Sequence, residues 1–192
     1  ITNVEMRAVY DAAKAAGARE VYIVEEPMAG AIGVHLNVQD PVGNMVVDIG
    51  GGTTDIAVIS LSGIVRSKSL KIAGDKLISD ILSYMRDEFK ILIGEKTAEE
   101  IKHVIGSAMP GDVSEELSIK GRDLVTGLPR EAIVTDTDIR EAMYSSISQL
   151  VESIKEVLET TPPEVLGDIM RRGIILIGGG AMIRNLAELL QT

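Results

Sequence analysis

Residues 46–60 read VVDIGGGTTDIAVIS: an apolar run of strand character that takes in one carboxylate, Asp48, breaks into three glycines and two threonines, and resumes as a second apolar run. A charge among apolar strand residues is costly unless it is paired or faces a ligand. The stretch therefore calls for a fold in which a strand end delivers an acid to a site. Glycines directly after a strand, here Gly50, Gly51 and Gly52, let backbone amides approach an anion without Cβ obstruction, and successive N–H groups form a concave nest for phosphate oxygens. Thr53 and Thr54 add hydroxyl donors. Asp48 is placed to hold Mg²⁺, a hard cation that takes few carboxylates and keeps its waters. The same letters also describe a plain glycine-rich hairpin turn, because a strand follows at once. A second run, GIILIGGGAMIRN at residues 173–185, again ends apolar residues in three glycines. Neither triplet has the Gly-Lys-Ser/Thr ending of a P-loop or the G-x-G-x-x-G spacing of a dinucleotide fold.

Around these turns, residues 4–16 have helical character and stop at Gly17, and residues 21–24 (VYIV) read as a short buried strand. Pro27 suits the first turn of a small-residue helix, MAGAIGV. Residues 44–48, 55–61 and 64–72 read as a three-stranded meander, the last two strands joined by Ser62 and Gly63. Leu77, Ile78, Ile81, Leu82, Met85 and Phe89 give residues 74–93 helical spacing, and Thr97 with Glu100 predicts a capping box opening a shorter helix, 97–105. Residues 110–136 are polar and turn-rich, with alternating runs LSIKG and EAIVT that predict the strands of a small subdomain. Helical character returns over 136–159 and 162–171, and 174–177 is a fully apolar strand. The methionines, Met143 among them, read as core filler.

A net charge of −10, from 29 acidic and 19 basic residues, disfavours a general nucleic-acid or anionic-membrane surface. With no cysteine there is no disulfide or thiolate nucleophile, and the two histidines, His35 and His103, make no zinc cluster. The reducing cytoplasm is the natural compartment. No apolar run approaches the roughly 20 residues of a membrane span, and no signal-peptide pattern opens the chain. Ile1 in place of Met points to a piece of something longer.

DIGGGTTDIAVIS resembles the second phosphate motif of the actin, hexokinase and heat-shock chaperone ATPase superfamily; VEEPMAGAIG resembles its first connecting segment and ILIGGGAMIRNL its adenosine motif. With VTGLPRE and ETTPPEVLGDIMRRG, which are not nucleotide motifs, the resemblance narrows to the MreB family of bacterial actins over essentially the whole chain. It implies an α/β fold with an actin-like ATPase (ribonuclease H-like) core and an inserted small α+β subdomain. Residues 1–74 and 136–192 would form the subdomain IIA core, and 75–135 the IIB insertion. The amino-terminal phosphate motif, the rest of domain I and the final connecting helix are missing from the match.

Of the individual residues, the resemblance makes Glu26 the carboxylate that orients or deprotonates the water attacking the terminal phosphate, with Thr53 helping to hold that water. The plainer alternatives are a helix N-terminus favoured by Glu25 and Glu26, and a capped turn. Glu99 and Lys102 are neighbours on one helix face; they meet the ribose in the family and otherwise make a solvated ion pair. Gly74 would lie under the sugar, or serve as a hinge or cap. Gly178, Gly179 and Gly180, followed by Ala181 and Met182, would let the purine approach the backbone. The whole protein is then expected to bind ATP with Mg²⁺, to polymerise head to tail (IIA to IIB), to hydrolyse ATP and to control bacterial rod shape. It would work in the cytoplasm at the inner face of the cell membrane, with domain I carrying any membrane contact. Two alternatives stand beside this: a chaperone-type or sugar-kinase ATPase of the superfamily, or, for the chain by itself, a non-catalytic interaction module.

Overall fold

The computed structural model describes residues 2–111 and 113–191. In chain order these form α1 (Asn3–Ala15), α2 (Glu26–Gly33), β1 (Asn44–Ile49), β2 (Thr54–Ser60), β3 (Gly63–Leu70), α3 (Gly74–Asp87), β4 (Ile91–Leu92), α4 (Glu95–Ile105), β5 (Glu116–Asp123), β6 (Pro129–Thr135), α5 (Asp136–Glu159), α6 (Pro163–Arg172), β7 (Ile174–Ile177), a 3₁₀ turn (Gly179–Met182) and α7 (Leu186–Leu189). The first three strands make an antiparallel meander and β7 joins parallel to β1, giving the order β3-β2-β1-β7. A second antiparallel sheet, β4-β5-β6, lies with α4 in the chain between α3 and α5.

Alternation along a strand sends successive side chains to opposite faces, and the burial follows it. Met45, Val47 and Ile49 of β1 join Ile56 and Val58 of β2 in the larger core, beneath Leu77, Ile81 and Met85 of α3 and Ile139, Met143 and Ile147 of α5. That core continues through Ile91, Ile101, Ile119 and Val134, so the second sheet shares it. On the opposite face Val46, Ala57 and Ile59 pack with Ala31 and Met28 of α2. Asp48 lies two residues beyond Val46 and Asp55 two before Ala57, which puts both carboxylates on the α2 face. Gly30 allows the close approach, since a Cβ there would overlap the Ile177 side chain.

Several local expectations are corrected. Residues 21–24 form no strand: none of the seven strands pairs with them, and Tyr22 is 80% exposed. Apolar content without a sheet edge or a covering helix does not make a strand, and α1 likewise buries none of its residues. The β2–β3 turn is formed by Leu61 and Ser62, both at positive φ (50° and 60°), and Gly63 opens β3. That geometry usually selects Asn-Gly; here it is fixed from outside, by Leu61 N–H donating to Asp40 O and Ser62 N–H to Val38 O. The helix expected over 74–93 stops at Asp87, because Lys90 (φ 53°) reverses the chain and Ile91 and Leu92 pair with β5. Thr97 is no cap: α4 starts at Glu95 after Gly94, with no side-chain cap. Capping boxes occur instead at Thr135/Asp138 and Thr2/Glu5. Met45, Met85 and Met143 are fully buried core residues, whereas Met170 and Met182 are exposed.

Candidate functional site

β1 and β7 run parallel side by side, with Asp48 level with Ile177. The two glycine triplets therefore leave the carboxyl ends of adjacent parallel strands, where open α/β sheets bind ligands. Gly178 (φ 83°) and Gly180 back onto Ile49, whose carbonyl or side chain a Cβ at either position would overlap, while Gly179 faces open space. Gly50 and Gly51 of the first triplet and Gly179 and Gly180 of the second, but not Gly178, border a cleft of about 230 Å³ together with the start of α3 and the carboxyl half of α4. Gly50, Gly51, Gly74 and Asp75 line one end, Glu99, Lys102 and His103 one wall, and Gly179, Gly180, Met182, Ile183 and Arg184 the other. A larger groove, about 640 Å³ between α6, β7 and α7, is mainly apolar, with Leu158, Leu166, Ile169, Leu176 and Leu190 in its walls. The convergence of polar groups belongs to the smaller cleft.

The first triplet is held by its carbonyls. The Gly50 N–H closes the turn on Thr53 O at 2.9 Å, and the first amides of α3, Gly74 and Asp75, donate to Gly50 O (3.1 Å) and Gly51 O (2.8 Å). Among the described residues the amides of Gly51, Gly52 and Thr53 donate to no protein acceptor, and these residues are exposed. Lys102 is half-buried on α4, and its ammonium lies 3.6 Å from where a Gly74 Cβ would stand. It makes no ion pair among the described residues; Glu99 instead approaches His103, Oε1 to Nε2 at 3.8 Å. The plainer alternative of a Glu99–Lys102 ion pair is thus not formed, and the Lys102 ammonium stands near Gly74 in the cleft that Gly51 also lines.

On the α2 face of the sheet, Asp48 and Asp55 oppose each other in the β1–β2 register. Desolvation, and then the neighbouring Asp55 charge, raise the Asp48 pKa above the usual carboxylate value. Like charges directly across a ladder are destabilising, and a cation between them would relieve the repulsion. This donor set suits Mg²⁺, which takes one or two carboxylates and completes its shell with phosphate oxygens and water.

Most of the residues singled out from the sequence therefore meet at this cleft or at its rim. Thr54 does not: it is wholly buried, and its hydroxyl donates to Ile72 O at 2.6 Å, bracing the strand end. Ala181 lines the apolar groove on the other side. Thr53 is exposed at the turn, its hydroxyl without a protein partner among the described residues. Glu26 opens α2, exposed and without a hydrogen bond or ion pair among the described residues. Three residues were not anticipated: Asp55, whose signal was its mirror position to Asp48 about the turn; Asp75, next to Gly74; and Arg184, which follows the second triplet.

A protein-family profile described as MreB/Mbl protein matches residues 1–192. The cell shape-determining protein Mbl of Bacillus subtilis (strain 168) is 50% identical over 190 residues, 99% of this chain and 57% of the relative. The cell shape-determining protein MreB of Escherichia coli (strain K12) is 50% identical over 189 residues, 98% of this chain and 54% of the relative. The chain thus spans about half the length of these relatives. Crystal structures of MreB5 of Spiroplasma citri, bound to AMPPNP and to ADP, superpose with a TM-score of 0.92 at 45% identity, covering 96% of this chain and 56% of that one. A MamK double helical filament shares the fold, with a TM-score of 0.79 at 22% identity.

Proposed function

The chain belongs to the MreB/Mbl family and has its actin-like fold, and from that premise we propose that it supplies one wall of a nucleotide site, holding Mg-ATP or Mg-ADP in the cleft between its two glycine turns. The observation that carries this reading is the convergence on one cleft of Gly50 and Gly51 from one triplet, Gly179 and Gly180 from the other, and a half-buried lysine without an ion pair among the described residues, with the unprotected amides of Gly51, Gly52 and Thr53 at the turn beside it. In this reading Gly51, Gly52 and Thr53 donate to phosphate oxygens, Lys102 and Glu99 hold the sugar end, Gly74 leaves room beneath it, and Gly179, Gly180 and Met182 take the base. Asp48, with Asp55 opposite, holds Mg²⁺, directly or through water. When bound, the metal neutralises charge on the phosphates. Glu26, on the same sheet face as Asp48, orients or deprotonates the attacking water, and Thr53 helps to position it. The S. citri relative crystallised with AMPPNP and with ADP supports the nucleotide assignment.

The whole protein would polymerise head to tail, IIA on IIB, as a cytoskeletal ATPase that maintains cell shape. The exposed apolar residues 22–24 and the wholly unburied helix α1 suit contact with domain I. A chain with only one wall of the site binds weakly, because each missing hydrogen bond to a charged group removes about 1.5–3 kcal/mol. Calorimetric titration with Mg-ADP should give a dissociation constant of about micromolar or weaker. Sub-micromolar binding would refute the single-wall argument, and no binding at millimolar nucleotide would refute the site. Sedimentation should show a monomer in dilute solution, since a heterologous contact of half size does not close on itself; a stable two-fold dimer would count against the head-to-tail assignment.

A further inference from the structure

The two flanks of the cleft within this chain come from different parts of the molecule: the 3₁₀ turn follows β7 of the first sheet, whereas Glu99, Lys102 and His103 ride on α4 beside the second. Arg184, two residues past the 3₁₀ turn, joins them. Its Nη2 donates to Val104 O at 2.8 Å and its Nε to Gly106 O at 3.4 Å. Both carbonyls belong to the carboxyl end of α4, where acceptors are left without partners and positive charge is favoured. The same guanidinium forks onto Glu115, Nη1 to Oε1 at 2.8 Å and Nη2 to Oε2 at 2.7 Å, just ahead of β5. Planar two-bond pairing of this kind fixes orientation as well as distance. The backbone doubles the tie: Arg184 O accepts from Ala108 N at 2.8 Å, and Asn185 Nδ2 donates to Ser107 Oγ at 3.0 Å. Pairing with Arg184 holds the Glu115 carboxyl below its usual range, which marks a pair ionised at neutral pH.

We propose that Arg184 is a positioning residue: clasped to Glu115 and to the end of α4, it sets the spacing between the 3₁₀ turn and Lys102, and so tunes affinity for the nucleoside end of the ligand without acting on the phosphates. This rests on the reading of the cleft as a nucleotide site. Nothing in the sequence discloses it, since Glu115 and Arg184 are 69 positions apart.

The test follows the amides of this chain by NMR as Mg-ADP is added, for the parent, Arg184→Lys, which keeps the charge and loses the fork, and Glu115→Gln, which keeps the shape and loses the charge. Glu115→Gln changes a surface residue and leaves the fold in place. Both variants should bind ADP about fivefold more weakly, the factor expected of a surface pair at the strong end of its range. At saturation the shifts of Gly179 and Gly180 should change while those of Gly51, Gly52 and Thr53 stay as in the parent. A role confined to stability would leave affinity and both sets of shifts unaltered in a folded variant. Affinities within about twofold of the parent in both variants, or equal disturbance of both triplets, would overturn the proposal while leaving the cleft reading intact. A parent that shows no shift in either triplet at millimolar ADP would overturn both.

Discussion

Gly178 stands at φ 83°, ψ 168°, a backbone combination that is essentially glycine's alone. A Cβ built there would overlap the Ile49 carbonyl oxygen and come within 2.6 Å of Asp48 Oδ1 and 2.7 Å of the Ile49 carbonyl carbon. These obstacles are mostly main chain of a central strand, so they cannot swing aside as a flexible side chain would. Backbone strain of about 1–3 kcal/mol then adds to an overpacking term of about 1–3 kcal/mol, and Gly178→Ala should destabilise the chain by about 2–6 kcal/mol. With a urea slope of about 2 kcal/mol/M, the midpoint falls by about 1–3 M. The control is one residue away. Gly179 has an unconstrained φ and no heavy atom within 4 Å of its Cβ position. Gly179→Ala should therefore change stability by less than about 0.5 kcal/mol, while placing a methyl group in the cleft that Gly179 lines and weakening nucleotide binding. Urea unfolding followed by far-ultraviolet circular dichroism measures the first effect and calorimetry the second. A Gly178→Ala midpoint indistinguishable from the parent, or equal destabilisation by the two substitutions, would show the close-approach argument to be wrong.

Lys102→Met should weaken nucleotide binding about 10- to 100-fold, the range corresponding to one lost hydrogen bond to a charged group, and an unchanged calorimetric affinity would remove the lysine from the site. Asp48 gives a pH signature: because burial and Asp55 raise its folded pKa above the ordinary 3.8, its contribution to stability is present below that value and lost as pH rises through the folded pKa. Asp48→Asn should accordingly stabilise the ligand-free chain at neutral pH, with a gain that shrinks toward pH 4, while abolishing the Mg²⁺-dependent part of nucleotide binding; a loss of stability at pH 7 in urea titrations would reverse the assignment. In a full-length protein carrying this segment, Glu26→Gln should keep nucleotide affinity and slow hydrolysis by about 10²- to 10⁴-fold, and phosphate release at the parental rate would exclude Glu26 as the base.

What could be read from the sequence depended on whether the signal was local. The glycine triplets follow apolar runs, so both turns and their strands were legible, as was the 24-residue helix α5. Asp55 was not, because its partnership with Asp48 exists only once the hairpin register is known. The two threonines look alike in the sequence, yet they differ in space: Thr53 remains outside the strand, while Thr54 pairs with Ile49 and turns into the larger core. Residues 21–24 have strand composition but lack a partner edge. Thr97 sits in a capping-box pattern, but the apolar face of Ala98, Ile101 and Ile105 draws the helix back to Glu95, ahead of it. The Arg184 clasp closes over a long loop of chain and has no local mark at all.

The plain hairpin turn remained open as an account of VVDIGGGTTDIAVIS, and the surroundings bear on it. A turn needed only to reverse the chain would gain nothing from two carboxylates facing each other across the ladder, an arrangement that raises the pKa of one of them. Nor would it need a helix whose first two amides hold the turn's carbonyls while the turn's own amides stay bare. Those amides and a half-buried ammonium with no ion-pair partner among the described residues leave donors at one end and one wall of the cleft, whose own acids are Asp75 and Glu99. The facing carboxylates are unfavourable in the ligand-free chain, and on the proposed reading a cation at Asp48 relieves them while an anion in the cleft takes the free donors. On the proposed reading a single ligand carrying both, a magnesium-bound phosphate chain, would account for the acid before the glycines and the donors after them.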